Sequence, residues 1–265
     1  MSCPHLPAEL LDHIVDFLHD SSDALKNCCL ASRPWIPRTR KHLFASIQFQ
    51  TFKDLVSWNA MFSDPSTSPA CYAKALSIGC PYVVATARAG IGCWLSPFSH
   101  VVHFEMKIDG QDLWMAISLV PFHGFSPVLK SLCINSSAFS HPQIFNLIRS
   151  FPLLEDVSVR TMLRDSADSG DHGFNKRPTI TKPSSSPVFT GSLELRLHVR
   201  MEPIVSSLLS LPGGLRFRRL CFAFSYEADV LSATALMEGC RSTLESLKFG
   251  SGDLSTSSTP IFPCQ

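Results

Sequence analysis

The hexapeptide Leu129-Lys130-Ser131-Leu132-Cys133-Ile134 carries the pattern that decides the fold of this chain: apolar, two variable positions, apolar, one variable position, apolar. Side chains alternate between the two faces of a β-strand, so Leu132 and Ile134 are predicted to face a core together. The pattern recurs at Ala73-Leu76-Ile78, Val101-Phe104-Met106, Leu154-Val157-Val159, Phe217-Leu220-Phe222 and Leu244-Leu247-Phe249, with a weaker copy at Ser192-Leu195-Leu197. A series of similar strands is therefore predicted.

These predicted strands recur at a nearly constant spacing. Their middle apolar residues stand at positions 76, 104, 132, 157, 195, 220 and 247, which gives intervals of 28, 28, 25, 38, 25 and 27 residues. All intervals except the 38-residue one fall in the range of leucine-rich repeats. A single strand-and-helix unit cannot bury its apolar side alone, so neighbouring units are expected to stack into a curved parallel sheet.

The segments between the predicted strands favour helices. Ser140-His141-Pro142-Gln143 is similar to a capping box ahead of an apolar stretch, and Glu202-Pro203 precedes another. Residues 112–119 and 227–240 occupy the same place in their units. An additional strand is expected around Ile47, followed by a helix over 51–62. The longest interval is rich in Ser, Pro and Gly, which predicts a flexible insertion at about 164–187.

A different pattern, that of short amphipathic helices, occupies the first 44 residues. A helix is predicted to begin at Pro7, because proline is tolerated in the first helical turn. Apolar residues then follow at helical spacing, at Leu10, Leu11, Ile14, Val15 and Leu18. A second helix is predicted over 22–32 and a third over 34–44. Three short helices cannot bury a large core, so the apolar stripe needs cover from a partner or from the rest of the chain.

The segment from Leu6 to Phe44 resembles an F-box, in the form common in fungal proteins. The matching residues are Leu6, Pro7, Glu9, Leu10, Ile14, Leu18, Leu25, Leu30, Ser32, Arg33 and Trp35. The resemblance implies that these residues bind the Skp-type adaptor of a cullin-RING ubiquitin ligase. Two positions depart from the family pattern, since Ala31 replaces a larger residue and Pro34 interrupts a basic pair. The alternative is an ordinary helical hairpin packed on its own domain.

The region after the helices resembles leucine-rich repeats in spacing more than in residue identity. Many such repeats place an asparagine three positions beyond the last apolar residue, whereas this chain has Asp109, Ser137, Met162, Arg200, Ser225 and Gly252 there. The predicted fold class is therefore an α+β or α/β repeat protein. It consists of a three-helix F-box over 4–44, an irregular leucine-rich-repeat-like solenoid with a curved parallel sheet over 45–250, and a flexible tail over 251–265. The alternative is an ordinary α/β domain with helices on both sheet faces.

The variable positions of the predicted strands face away from the core and form a mixed-charge surface. This surface includes His103, Glu105, Lys107, Asn135, Asp156, Ser158, Arg160, Glu194, Arg196, His198, Arg219 and Lys248. The residues predicted to bind a target protein are Glu105, Lys107, Asn135, Arg160, Arg196, His198 and Lys248. The alternative is that these side chains only solvate one face of the sheet.

Composition limits the classes of partner and compartment. With 23 Lys and Arg against 22 Asp and Glu, the net charge of +1 predicts neither nucleic-acid nor membrane binding. The ten cysteines are scattered through apolar stretches, and a secretory signal is not evident at the N-terminus. Reduced thiols in the cytoplasm, the nucleus or both are therefore expected.

A search for catalytic motifs favours a protein without catalytic activity. The sequence contains no phosphate-binding loop, no His-Glu-x-x-His pair, no Gly-x-Ser-x-Gly elbow and no paired Cys-x-x-Cys clusters. No cofactor, metal ion or catalytic residue is expected. The leading hypothesis is a non-catalytic substrate receptor of a cullin-RING ligase in ubiquitin-dependent degradation. An F-box scaffold without a ubiquitylation role and an enzyme with dispersed catalytic residues are the alternatives.

Overall fold

A computed structural model describes residues 7–64, 66–80, 95–108, 125–136, 141–161, 189–197, 200–224 and 226–250. Across these ranges there are seven α-helices: α1 Ala8–Phe17, α2 Ser22–Ala31, α3 Ile36–Leu43, α4 Phe52–Met61, α5 His141–Arg149, α6 Glu202–Leu209 and α7 Asp229–Gly239. There are also two short 3₁₀ helices, Arg33–Trp35 and Pro69–Tyr72. The eight strands of the same ranges are β1 Ser46–Phe49, β2 Ala75–Cys80, β3 His103–Ile108, β4 Ser131–Ser136, β5 Asp156–Thr161, β6 Ser192–Leu197, β7 Arg219–Ala223 and β8 Ser246–Gly250.

The strands form a single parallel sheet whose spatial order follows the sequence from β1 to β8. Two apolar rows cross the whole sheet in register. One row contains Ile47, Leu76, Phe104, Leu132, Val157, Leu193, Leu220 and Leu247, and the other contains Phe49, Ile78, Met106, Ile134, Val159, Leu195, Phe222 and Phe249. Helices α4 to α7 contribute residues such as Leu55, Ile148, Leu208 and Leu236 to the same core. These four helices therefore cover the apolar face of the sheet.

The weak copy of the strand pattern is paired two residues away from its predicted register. Val157 of β5 lies opposite Leu193 of β6, not opposite Leu195. The register is held by Asp156, whose Oδ1 accepts hydrogen bonds from the backbone N–H and the hydroxyl of Ser192, each at 2.6 Å. Gly191 permits this approach, because a Cβ there would lie 2.4 Å from the same carboxylate oxygen. A polar contact thus determines which leucine faces Val157.

The predicted fold class, a three-helix F-box followed by an irregular leucine-rich-repeat solenoid, is wrong. The described residues form an α/β fold with seven α-helices and one all-parallel sheet of eight strands. The strand β1 begins three residues after α3 ends and already belongs to this sheet. The physical reason for the error is that an apolar-x-apolar strand has the same local pattern in any parallel sheet with one covered face. The pattern predicts strands, but it does not distinguish among folds that contain them.

The helix boundaries follow local capping chemistry. The hydroxyl of Ser21 accepts the N–H of Ala24 at the start of α2, and Thr51 and Asp54 form a reciprocal capping box at the start of α4. The predicted second helix therefore begins as expected and ends one residue early, at Ala31. The predicted helix over 112–119, the insertion at 164–187 and the tail over 251–265 lie outside the described residues.

Candidate functional site

The first candidate site is an apolar groove along α1. The groove is lined by Leu10, His13, Ile14, Phe17 and Leu18 and has a volume of about 360 Å³. Its walls are open to solvent, since Leu10 is 49% exposed, Ile14 41% and Phe17 86%. Val15, on the opposite side of the helix, is only 1% exposed. The apolar stripe of α1 is therefore divided between a buried side and a side that stays accessible.

Asp16 attaches α1 to α3. Its Oδ1 accepts a hydrogen bond from Nε of Arg38 at 2.7 Å and lies 2.7 Å from Nε2 of His42, while Oδ2 accepts from the Arg38 guanidinium. Hydrogen bonds from Arg38 and His42 hold the pKa of the Asp16 carboxyl well below its ordinary value. Because Asp16 lies beside Val15, this ion pair turns the Leu10 and Ile14 side of the helix outwards.

A buried hydroxyl attaches α2 to α3. Thr39 is completely buried, and its hydroxyl donates a hydrogen bond of 2.7 Å to the carbonyl of Trp35. The Sγ atom of Cys29 lies 2.8 Å from the same oxygen. Leu25 of α2 is 1% exposed and belongs to the small core of these helices. The three helices therefore form a packed support beneath the groove.

The predicted adaptor-binding residues lie in different environments. Leu10, Ile14 and Leu18 line the groove, and Leu30 is exposed on α2. Pro7, Glu9 and Arg33 are exposed, and Ser32 and Trp35 are half-buried. Leu25 is buried, so its side chain supports the helices and is not available to a partner. Leu6 lies outside the described residues.

Two residues of the groove were missed by the sequence analysis, namely His13 and Phe17. Phe17 stands three residues after Ile14, which places both side chains on the same face of a helix. This spacing was available in the sequence. The predicted apolar stripe instead continued from Val15 to Leu18.

We expect acid to weaken the attachment of α1. The pKa of Asp16 is lowered in the folded state, so its stabilising contribution is complete above the ordinary carboxyl pKa of about 4. The contribution is lost as the pH falls through the lowered pKa of the folded state. Asp16→Asn should therefore lower the urea midpoint most at pH 6 and clearly less at pH 2, because at pH 2 the carboxyl is protonated in the unfolded chain and the pH approaches the lowered pKa of the folded state. Asp20→Asn, on an exposed residue whose one ion pair with the described residues is to His19, is the control and should change neither value. An equal effect of Asp16→Asn at both pH values would contradict this role.

The second candidate site is the polar face of the sheet, where two rows of outward side chains cross the strands in register. The central row contains Ser77, Glu105, Cys133, Ser158, Glu194, Cys221 and Lys248. The next row contains Lys107, Asn135, Arg160 and Arg196 on four consecutive strands. Basic and amide groups thus lie side by side at strand spacing, about 5 Å apart.

Two glutamates of the central row neutralise part of this basic row. Glu194 binds Arg160 at 2.9 Å and Arg196 at 2.6 Å, and it accepts a hydrogen bond from Ser158 at 2.8 Å. Glu105 binds Lys107 at 3.1 Å and accepts from Ser77 at 2.9 Å. Burial opposes the ionisation of Glu194, but the hydrogen bonds from Arg160 and Ser158 prevail, so its pKa lies below the ordinary value. The result is an ordered array of charges.

Cys133 lies at the centre of this array. Burial raises the pKa of its thiol, and the negative charge of Glu105 raises it further. A protonated thiol is a weak nucleophile, and Cys133 lies between Glu105 and Ser158 in the central row. Cys133 was absent from the predicted surface, although its position between Leu132 and Ile134 indicated that it faces outwards.

The structure brings most of the predicted target-binding residues together. Lys107, Asn135, Arg160 and Arg196 share one row, and Glu105 lies in the adjacent row. Lys248 lies at the far edge of the sheet, separated from β6 by β7. His198 lies outside the described residues. Glu194, which joins Arg160 to Arg196, was placed on the surface but was not selected as a binding residue.

Comparison with protein-family models, curated proteins and solved structures found no match to this chain. In the part of the chain that the structure describes, no helix is both long enough and apolar enough to cross a membrane. Over the same residues, no group of three or more His, Cys, Asp or Glu side chains is arranged to hold a metal ion. The groove and the polar sheet face are therefore the features from which a function can be inferred.

Proposed function

We propose that this protein is the substrate-recognition subunit of a cullin-RING ubiquitin ligase. Helices α1 to α3 would bind the Skp-type adaptor through the groove, and the polar face of the sheet would bind a target protein. The complex would act in the cytoplasm, the nucleus or both. The chain itself would carry out no covalent chemistry.

The observation that carries the proposal is the exposure of the groove. Leu10 and Ile14 remain 49% and 41% exposed although they lie on a helix whose other side is buried. An open apolar groove surrounded by polar residues is typical of a protein-binding surface. The sequence around the groove also resembles an F-box, which supports a Skp-type adaptor as the partner.

The ordered charges on the sheet support a separate site for the target. Lys107 and Arg196 are 45% and 44% exposed, so their cationic ends are available to a ligand, while Glu105 and Glu194 fix their positions. Charge complementarity at such a surface contributes mainly to specificity and to the rate of association. The mixed charges therefore favour a protein target with a matching charge pattern over a general polyanion.

The proposed mechanism is proximity. A receptor that binds adaptor and target simultaneously turns their encounter with a ubiquitin-loaded enzyme into an effectively intramolecular event. The increase in rate then comes from effective concentration and orientation. The residues of this chain contribute binding free energy and geometry only.

The proposal is tested by reconstitution. The full chain should co-purify with the Skp-type adaptor of its own organism, and the assembled cullin-RING ligase should ubiquitylate a protein captured by this chain from native cells. Adaptor binding without ubiquitylation of any captured protein would favour the scaffold alternative. Absence of adaptor binding would reject the proposal, and substrate turnover by the isolated chain would favour an enzyme.

A charge reversal on the sheet should reduce target capture. Lys107→Glu is expected to weaken binding of a captured target about tenfold, because it replaces an attraction with a repulsion at an ordered charge. Lys130→Glu is the matched control, since Lys130 forms a similar ion pair at 2.9 Å with Glu155 but lies outside the rows of the polar face. Arg160→Glu combined with Arg196→Glu should have a larger effect. If both Lys107→Glu and this double variant left every captured target bound, the polar face would not be the target site.

A further inference from the structure

Strand β8 has the apolar residues of an interior strand, although it lies at the edge of the described sheet. Along the two apolar rows, every residue from β1 to β7 is at most 7% exposed. In β8, by contrast, Leu247 is 37% and Phe249 57% exposed. The described part of the sheet ends at β8, which pairs only with β7 there. The two apolar rows, which are buried from β1 to β7, therefore end in β8 at side chains that remain exposed.

The opposite edge of the sheet shows that this exposure is specific to β8. At β1, Phe49 is 3% exposed, because its ring lies against Trp58 with a centroid distance of 5.6 Å. Trp58 also contacts Phe44, at 6.1 Å. Aromatic side chains of α4 and of the preceding segment therefore cover β1. No described residue gives Leu247 and Phe249 equivalent cover.

Phe249 is held in place even though it is exposed. Its ring lies 6.3 Å from that of Phe222 and 5.6 Å from that of Phe224, and the last two rings are 6.0 Å apart. The three rings form an aromatic ledge next to the edge of β8 that pairs with no described strand. Half of the backbone N–H and C=O groups of an edge strand point away from its neighbour and are available for pairing. A segment that paired with this edge could therefore cover the exposed apolar side chains and bond to the backbone groups at the same time.

We propose that β8 binds an extended segment of a partner protein as an additional strand, and that this segment carries two apolar residues on either side of an acidic residue. The apolar residues would continue the two core rows beyond Leu247 and Phe249. The acidic residue would lie beside Lys248, which is exposed on the polar face and forms no ion pair among the described residues. Strand addition of this kind combines backbone hydrogen bonds with side-chain selection at alternate positions.

A second copy of the chain fits this edge less well. In an antiparallel two-fold arrangement, the register that pairs Leu247 of one copy with Phe249 of the other places the two Lys248 side chains directly opposite each other. Like charges in that position destabilise a strand pair. An acidic residue in a different partner removes this repulsion. The inference is separate from adaptor binding and does not depend on the proposed function.

The test uses the full chain and fluorescent heptapeptides of sequence Ser-Thr-Val-Glu-Phe-Thr-Ser. Replacing Glu with Lys in the peptide should weaken binding about fivefold, and Lys248→Glu in the protein should reverse that preference. Two N-methylated peptides distinguish backbone pairing from simple apolar contact. One is methylated at the Val and Phe nitrogens, on one edge of the strand, and the other at the Glu nitrogen, on the opposite edge. One of the two methylated peptides should lose binding and the other should keep it, because only one edge faces β8.

Protein variants provide the second part of the test. Phe249→Ser should weaken peptide binding about tenfold, because it removes the most exposed ring of the aromatic ledge. Leu153→Ser, at a leucine that is 53% exposed outside the sheet, is the matched control and should bind normally. The methylated peptides keep the test valid even if Phe249→Ser fails to fold, since they are used with the unaltered chain.

Four results would overturn the inference. The full chain could fail to bind the unmodified peptide, or both methylated peptides could bind equally well. Sedimentation could reveal a dimer that Phe249→Ser separates, which would identify a second copy as the occupant. Hydrogen exchange could show that the β8 amides are protected in the free chain and released on removal of residues 251–265, which would identify this chain's own segment as the cover.

Discussion

Leu10→Asp combined with Ile14→Asp should abolish adaptor binding, with a loss of at least about 100-fold in affinity. Both side chains line the groove of α1, and both are partly exposed in the free chain. A bound adaptor would remove them from water, so each new carboxylate would be buried without a partner in the complex. Burying an unpaired charge costs far more than exposing it in the free protein. The expected effect is therefore on binding and not on folding.

The measurement is a titration of the purified double variant with the Skp-type adaptor, alongside circular dichroism and thermal unfolding. Val230→Asp combined with Leu231→Asp is the matched control, because it makes the same chemical change at residues of α7 that are 49% and 76% exposed. The control should bind the adaptor with unchanged affinity. A folded Leu10 and Ile14 double variant that retained adaptor binding would contradict the docking role of the groove.

Asp229→Ala should produce the largest loss of stability from a single polar substitution at this end of the sheet. Asp229 is 1% exposed and stands at the start of α7. Its Oδ1 accepts the backbone N–H of Met201 at 2.9 Å, and its Oδ2 accepts that of Tyr226 at 3.2 Å. Met201 immediately precedes α6, so one carboxylate connects the starts of two neighbouring helices. Removing it leaves a buried N–H group unsatisfied, which should cost about 2 to 4 kcal/mol in unfolding free energy.

The loss is measured by urea unfolding of the full chain. Glu202→Ala is the control, because Glu202 also lies in the first turn of a helix but is exposed, so only a helix-dipole effect below about 1 kcal/mol is expected. Asp229→Asn should have an intermediate effect, since an amide keeps the shape of the carboxylate but offers only one accepting oxygen. A cost below about 1 kcal/mol for Asp229→Ala would show that the two N–H groups find other partners.

The positions of the strands could be predicted from the sequence, because alternation is a local property of an extended backbone. All the predicted middle apolar residues lie within strands, including Leu132, Leu195 and Leu247. The pairing at β6 could not be predicted in the same way. Leu193 and Leu195 are both fully buried, and the choice between them depends on Asp156 binding Ser192, 36 residues away.

The candidate sites were predictable to a similar extent. Helical spacing correctly indicated an amphipathic α1, but it did not indicate that Leu25 is buried while Leu30 is 86% exposed. On the sheet, Lys107, Arg160 and Arg196 were selected from strand alternation alone. The ion pairs that connect them to Glu105 and Glu194 could not be predicted in this way. Ion pairs between strands depend on the register of residues that are distant in sequence.

The amino-acid sequence by itself determined which residues form strands and helices and which side of each element is apolar. These properties follow from backbone geometry and from spacings of two to four residues. The tertiary structure alone decided that the described strands form one α/β sheet, that Asp16 turns Leu10 and Ile14 outwards, and that β8 pairs with β7 alone among the described strands. Each of these outcomes depends on contacts between residues far apart in the chain, such as Asp16 with Arg38, and a local pattern does not contain that information.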